Sequence, residues 1–425
     1  MQKIIPDHYI YSCQSCGHEF NTGRIETEQK YLCPDCGIAE DNKPLTGVLS
    51  VLYDFESLSK LLSREQFLNL PPGRPWLYPE LWPLFSLKNY FYPNTLEKLS
   101  LPSNLLFTIE DNTDGILVLD DTRNPTFSFK DRASILVSLK AIQNGYGELS
   151  VASTGNAGSS LAGICARLGL KAHVWVPEQI PHQKLMQIRC YGSDVHIVKG
   201  SYDIAFDLNR KISEKEKWYD RNTAYNPLTI EGKKSAAYDI FITLQGELPD
   251  NIIIPVGDGV ILGGIFKGFS ELMQLHWIDS LPKLIAVQAE GSDALARYIM
   301  SGQFEFREPL TIADSIRAGA PRNLYMAANS IRKSTGQVIT VSDKAIVEAQ
   351  KKCATAWGFF IEPSAAATYA AYIKLKQQEK IKVNEKTLLL FTGNGMKDLQ
   401  AVGSWVNSNK AMSAGDWKLL YNLDN

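Results

Sequence analysis

The sequence predicts an α/β protein built on parallel sheets, with a small metal-binding unit in front. Short runs rich in Val, Ile and Leu alternate with segments of helical pattern, which calls for crossover connections and sheets covered on both faces. Three turns leading from such a run into a helix are rich in glycine, the composition expected where ligands sit beyond the carboxyl ends of parallel strands. Four of the seven cysteines are paired at the N-terminus as Cys13-x-x-Cys16 and Cys33-x-x-Cys36.

Those cysteines come first in the chain. Two residues between thiolates let both sulfurs of a tight turn face one ion, and two such turns close a tetrahedral zinc site. Sixteen residues, 17 to 32, separate the pairs and suit a short hairpin. Gly17 and Gly37 follow the pairs, where a positive φ would aim backbone amides at the sulfurs. Four thiolates leave no open coordination position, so the Zn2+ is expected to be structural, with redox dithiols as the alternative reading. The ribbon is assigned residues 1–44 and the remaining unit residues 45–425. From 45 to 110 the pattern is mixed, with one amphipathic helix over Ser57–Leu70, stopped by Pro71-Pro72-Gly73. Gly115–Leu119 then reads as a strand. Strand and helix alternate as Leu149–Ser153 and Ser159–Leu168, His173–Pro177 and Pro181–Tyr191, Asp194–Val198 and Tyr202–Lys215. Ile252–Pro255, Leu284–Ala289 and Lys386–Phe391 are the later strands.

Composition narrows the function. In 425 residues, 44 Lys+Arg against 46 Asp+Glu give a formal charge of -2, which argues against a protein that coats nucleic acid or anionic lipid. No apolar run approaches the ~20 residues of a membrane span, and the N-terminus lacks a secretion signal. The three remaining cysteines, Cys165, Cys190 and Cys353, are scattered, unlike a disulfide framework. On composition the chain is expected to be cytoplasmic, with no nucleic-acid or membrane partner.

The glycine-rich turns are Ser153-Thr154-Gly155-Asn156-Ala157-Gly158, Gly257-Asp258-Gly259 and Thr392-Gly393-Asn394-Gly395. None matches a nucleotide-binding fingerprint. Lys130 lies in Asn124-Pro125-Thr126-Phe127-Ser128-Phe129-Lys130-Asp131-Arg132, where Ser128 or Asp131 can cap a helix. At a helix start the dipole lowers a lysine's pKa, and a neutral amine is what imine chemistry with an aldehyde cofactor requires.

Taken in order, these four segments resemble the threonine synthase family, pyridoxal-phosphate enzymes of the tryptophan-synthase-β fold group (fold type II), over about residues 115 to 400. The resemblance implies two α/β subdomains, a small one at about 136–225 and a large one at about 77–135 plus 226–410. It implies that Lys130 binds pyridoxal 5'-phosphate covalently and moves protons at the substrate. Ser153, Thr154, Gly155, Asn156 and Ala157 would meet the substrate carboxylate, with Asn156 also at the cofactor's phenolic oxygen. Gly257, Asp258, Gly259, Val260 and Ile261 would hold the cofactor phosphate, and Thr392 would meet the pyridine nitrogen. The implied reaction turns O-phosphohomoserine and water into threonine and phosphate. A related β-replacement or elimination enzyme, cysteate-synthase-like or threonine-dehydratase-like, is the alternative. A homodimer is implied by analogy.

The chain also departs from the family pattern. Phe127 and Ala133 stand where relatives usually carry glycine, and the Phe127 ring is expected to narrow the pocket. Ile180 and Thr229 stand where relatives carry lysine and arginine, the cations suited to a phosphate leaving group. Arg123, Arg132, Lys184 and Lys233 are the candidates to replace them.

Overall fold

The computed structural model describes residues 8–84, 93–111, 114–403, 405, 406, 414 and 421. Residues 1–7 and 407–410, included in the domain limits above, lie outside the described residues. Three sheets organise the chain. The first joins β1 (Tyr9–Cys13), β2 (Glu19–Phe20) and β3 (Leu49–Tyr53) in the order β2-β1-β3, all antiparallel. β3 lies beyond residue 44, so this unit's sheet is completed by chain that follows the cysteine pairs.

β4 (Leu106–Asp111) and β5 (Asp114–Asp120) begin the large sheet. β6 (Glu148–Ala152), β7 (Lys171–Pro177), β8 (Asp194–Val198) and β9 (Tyr219–Asp220) form a second, all-parallel sheet in the order β8-β7-β6-β9. β10 (Asn251–Pro255), β11 (Lys283–Ala289), β12 (Gln337–Val341) and β13 (Thr387–Phe391) complete the large sheet, in the order β12-β11-β10-β13-β5-β4. Every pair there is parallel except β4 with β5. All five residues of β10 and of β13 are buried, as a strand covered by helices on both faces must be. The alternating strands and helices of the sequence are found within a residue or three of where the pattern put them.

The single helix expected over Ser57–Leu70 is two, Phe55–Leu61 and Arg64–Leu68. Leu62 and Ser63 are extended, and the Ser63 side chain accepts from the Gln66 amide, so a second N-cap interrupts the apolar pattern. Ser128 and Asp131 do not cap the helix Asp131–Gln143 either. The Asp131 carboxylate turns back to the Thr126 amide (2.7 Å) and the Thr126 and Ser160 hydroxyls, which ties the preceding turn to the neighbouring helix.

Buried ions bind the front unit to the rest. Lys140, on the helix that follows Lys130, pairs with Glu26 (2.7 Å) and donates to the Tyr9 hydroxyl (2.6 Å). On the helix Leu228–Thr243, Glu231 and Lys234 join Lys267 and Glu271 in a buried quartet. Tyr53 donates to Glu231 (3.0 Å), and the Val51 carbonyl of β3 accepts from Lys267 (2.6 Å). No helix among the described residues is long and apolar enough to cross a membrane.

Candidate active site

Lys130 is brought to the three turns by backbone pairing. The Phe129 amide donates to the Thr392 carbonyl (2.9 Å) and the Asn394 amide to the Phe127 carbonyl (3.1 Å), so the turn before Lys130 is laced to the one after β13. Phe127 makes this possible with φ +69, a conformation that glycine adopts freely and other residues rarely do. Its ring is 47% exposed and is not among the residues lining the cavity, so the expected narrowing does not occur.

One cavity is lined by Lys130, Ser153, Thr154, Asn156, Ala157, Gly257, Asp258, Gly259, Val260, Ile261 and Thr392. All but one of the residues expected to meet the cofactor or the substrate thus line one cavity. Gly155 does not line the cavity. It takes φ +146, and a Cβ there would sit 2.1 Å from Lys184 Cδ, so the turn packs directly on the Lys184 stem. The Ser153 hydroxyl accepts from the Gly155 amide (2.9 Å), fixing that turn just before the helix Asn156–Leu168. After β10, Gly257 and Gly259 let the chain enter the helix Val260–Gln274 under a close ceiling. A Cβ on Gly257 would meet Ile316 Cα at 3.0 Å, and on Gly259 the Ala327 Cβ at 2.8 Å. The consecutive amides of such a turn, at a helix N-terminus, make an anion cradle.

Burial pushes the Lys130 amine below its ordinary pKa; Lys184 and Arg221 add to this, while Glu362 and Asp258 oppose it. Burial is the main cause, where the helix start alone was expected to act. Opposite stands Glu362, fully buried, which accepts from Asn156 Nδ2 (3.0 and 2.9 Å) and from the Ser315 hydroxyl (3.2 Å). Asn156 Oδ1 and the Ser364 hydroxyl are buried without partners, and both residues line the cavity. Orphaned polar atoms beside a glycine cradle and a lysine of lowered pKa fit a polar ring carrying an aldehyde and a phosphate.

Sequence reasoning had not singled out Glu362, Ser364, Arg221 or Lys397. Glu362, Ser364 and Arg221 lie far along the chain from the motifs and are recruited by folding, whereas Lys397 stands two residues beyond the third turn. Lys397 follows the third turn, where burial pushes its amine down to about 7; it donates to the Ser159 hydroxyl (2.8 Å) and Gln187 Oε1 (2.7 Å). The four candidate replacement cations divide. Arg123 turns outward to the Asn104 carbonyl (3.2 Å). Arg132 is held by Asp121 (2.6 Å) and Asp239 (2.5 Å). Lys184 is neutralised by Asp314 (2.6 and 2.8 Å). Lys233 alone of these lines the cavity.

At the front, the sulfurs of Cys13, Cys16, Cys33 and Cys36 all lie within 4.8 Å of one another, a spacing suited to one metal ion. Amides of Ser15 and Cys16 point at Cys13 Sγ (3.3 and 3.4 Å), and that of Asp35 at Cys33 Sγ (3.4 Å). Gly17 has the expected positive φ of +75, but Gly37 is not among the glycines with positive φ. Gly37 is required for space, since its Cβ would lie 2.5 Å from the Cys33 carbonyl oxygen.

Fold and site together define a pyridoxal-phosphate dependent enzyme, and the family model so described matches residues 101–393. The chain is 33% identical to threonine synthase of Methanocaldococcus jannaschii over 406 residues, 92% of this chain and 94% of that one. It is 32% identical to threonine synthase of Methanosarcina acetivorans over 400 residues, 93% of each chain. It belongs to the threonine synthase family. The structure of maize serine racemase shares the fold, with a TM-score of 0.62 at 18% identity over 76% of this chain and 94% of that one.

Proposed function

We propose that the protein is a lyase that converts O-phosphohomoserine and water to threonine and phosphate. The observation that carries this is the convergence of Lys130 with the turns at 153–157, 257–261 and 392 on one cavity, in a chain of this family. Pyridoxal phosphate, when bound, supplies an aldehyde and an electron sink that weakens bonds around the substrate's Cα. Lys130, its amine held toward the neutral form by burial, would hold the cofactor and would be the group that moves protons at Cα and Cβ of the substrate. The amides of Gly257 to Ile261 would hold the cofactor phosphate. Thr392, which lines the cavity, would meet the pyridine nitrogen with a hydroxyl, a group that, unlike a carboxylate, would not hold that nitrogen protonated. Residues Thr154 to Ala157 orient the substrate through its carboxylate at the start of the helix Asn156–Leu168, and Ser153 holds that turn in shape.

The four N-terminal cysteines would hold a structural Zn2+, because four thiolates fill its tetrahedron. The decisive experiment is incubation of the cofactor-loaded protein with O-phosphohomoserine, reading inorganic phosphate and threonine in equal amounts. Phosphate release without threonine, or turnover of serine, phosphoserine or threonine in its place, would move the protein to the β-replacement or elimination reading. One observation favours that second reading: Ile180 and Thr229, the positions where the resemblance leads one to expect cations, are buried and uncharged.

A further inference from the structure

The cavity wall contains positive charge that the protein does not neutralise. Lys233, in the second turn of the helix Leu228–Thr243, is 1% exposed, lines the cavity, and has no hydrogen bond or ion pair with the described residues. Its stem is pinned where two helices nearly touch, since a Cβ on Gly264 would lie 2.8 Å from its own Cβ. Arg221 is fully buried and acts on Lys233 by its charge, without itself lining the cavity. Arg221 Nε donates to the Ser134 hydroxyl (3.2 Å) and Nη1 to the hydroxyl of Thr223 (3.1 Å), which also lines the cavity. Nη2 is buried and has no partner.

Neither cation has a carboxylate within ion-pairing distance among the described residues. Asp258, the acid that acts on Lys233, already accepts from the Arg322 amide (3.1 Å). Burial, then Arg221 and Lys130, push the Lys233 amine well below its ordinary value, and burial brings Arg221 down to about 10. Holding both groups charged without a partner is costly, and an anion in the cavity would offset that cost by drawing the Lys233 amine back to its charged form. The positions expected to carry such charge do not. Thr229 donates to the Asn226 carbonyl (2.8 Å) and accepts from the Ala224 amide (3.2 Å), so its hydroxyl is used within its own turn.

We propose that Lys233 and Arg221 form a receptor for a phosphate dianion in this cavity, replacing the charge absent at Ile180 and Thr229. The phosphate is the substrate's leaving group or the cofactor's own ester. The first of these rests on the phosphohomoserine reading; the second does not.

The test uses the full chain and its Lys233→Met and Arg221→Met variants, with folding checked by thermal melting. Inorganic phosphate should raise the Tm of the wild-type apoprotein and leave the Lys233→Met apoprotein unmoved. Without phosphate, Lys233→Met should melt no lower than wild type, because it removes an unpaired buried charge. If the leaving group is held, KM for O-phosphohomoserine rises about tenfold or more in either variant while cofactor affinity holds. If the cofactor is held, the Kd of the apoprotein for pyridoxal phosphate rises by about that factor while KM at saturating cofactor holds. Phosphate protection equal in wild type and variants, with KM and Kd both within about twofold, would overturn the proposal. A wild-type protein that releases no phosphate from O-phosphohomoserine would sink the functional reading, yet phosphate protection and cofactor affinity would still judge the receptor.

Discussion

Gly155→Ala should be far more damaging than one methyl group suggests, and the structure separates two reasons. The backbone at φ +146 is a conformation that side chains beyond glycine seldom reach, worth about 1–3 kcal/mol. The new Cβ would also overlap Lys184, at 2.1 Å from Cδ and 2.9 Å from Cβ and Cγ. That stem cannot swing aside freely, because its amine is fixed on Asp314 (2.6 and 2.8 Å) and Ser315 (3.2 Å), with no side-chain exposure. Expelling it from its buried pair costs roughly 3–5 kcal/mol, giving a total near 4–8. In a Lys184→Ala background Cγ and Cδ are gone and the pair is already lost; the contact with the remaining Cβ (2.9 Å) needs a small shift, and beyond it only the backbone part, about 1–3 kcal/mol, should remain. A double-mutant cycle on urea unfolding should therefore show a coupling of about 3–5 kcal/mol. Additivity of the two changes within about 0.5 kcal/mol would refute the claim that Lys184 props this turn.

Lys130→Ala should abolish turnover and the visible absorption of bound cofactor, read by spectrum after dialysis; retention of a cofactor band that borohydride reduces onto the chain would place the attachment elsewhere. Replacing Cys33 by serine should lower bound metal, measured by elemental analysis, and make the front unit sensitive to limited proteolysis, since structural Zn2+ in small units is worth on the order of 10 kcal/mol. The pH dependence of stability should carry a mark of Lys397. Its folded pKa, about 7, is depressed below the ordinary lysine value, so between them the unfolded chain binds the extra proton. Stability then rises with pH from about 7 toward the ordinary value, by at most about 1.4 kcal/mol per pH unit from this group. Lys397→Met should flatten that rise in apoprotein unfolding; an unchanged slope would mean the amine stays charged.

The motifs were legible because they are local. Val, Ile and Leu runs ending in glycine turns mark β6, β10 and β13, and each turn feeds the cavity. β12 (Gln337–Val341) and β4 (Leu106–Asp111) escaped notice because their polar residues blur the apolar run of a buried strand. They are the two edges of the large sheet. The site's charge balance was legible only in part, through Lys184 and Lys233. Glu362, Arg221 and Ser364 carry no signature in their own neighbourhoods and join the site only through the order of strands, while Lys397 sits just past a legible turn but gives no sign in the sequence of its burial. Phe127 shows the converse: a bulky residue suggested obstruction, whereas its backbone angle, invisible in a sequence, sends the ring away.

The front sheet has a consequence for anyone trimming this chain. Starting it near residue 54 would discard Glu26, the Tyr9 and Tyr53 hydroxyls and the Val51 carbonyl at once. The ammonium groups of Lys140, Lys234 and Lys267 would then face a newly opened apolar wall with part of their company gone. Two of the helices so exposed lead directly to Lys130 and Lys233. A shortened version would be expected to clump or to lose grip on its ligands, even though every motif of the pocket remained in the retained portion.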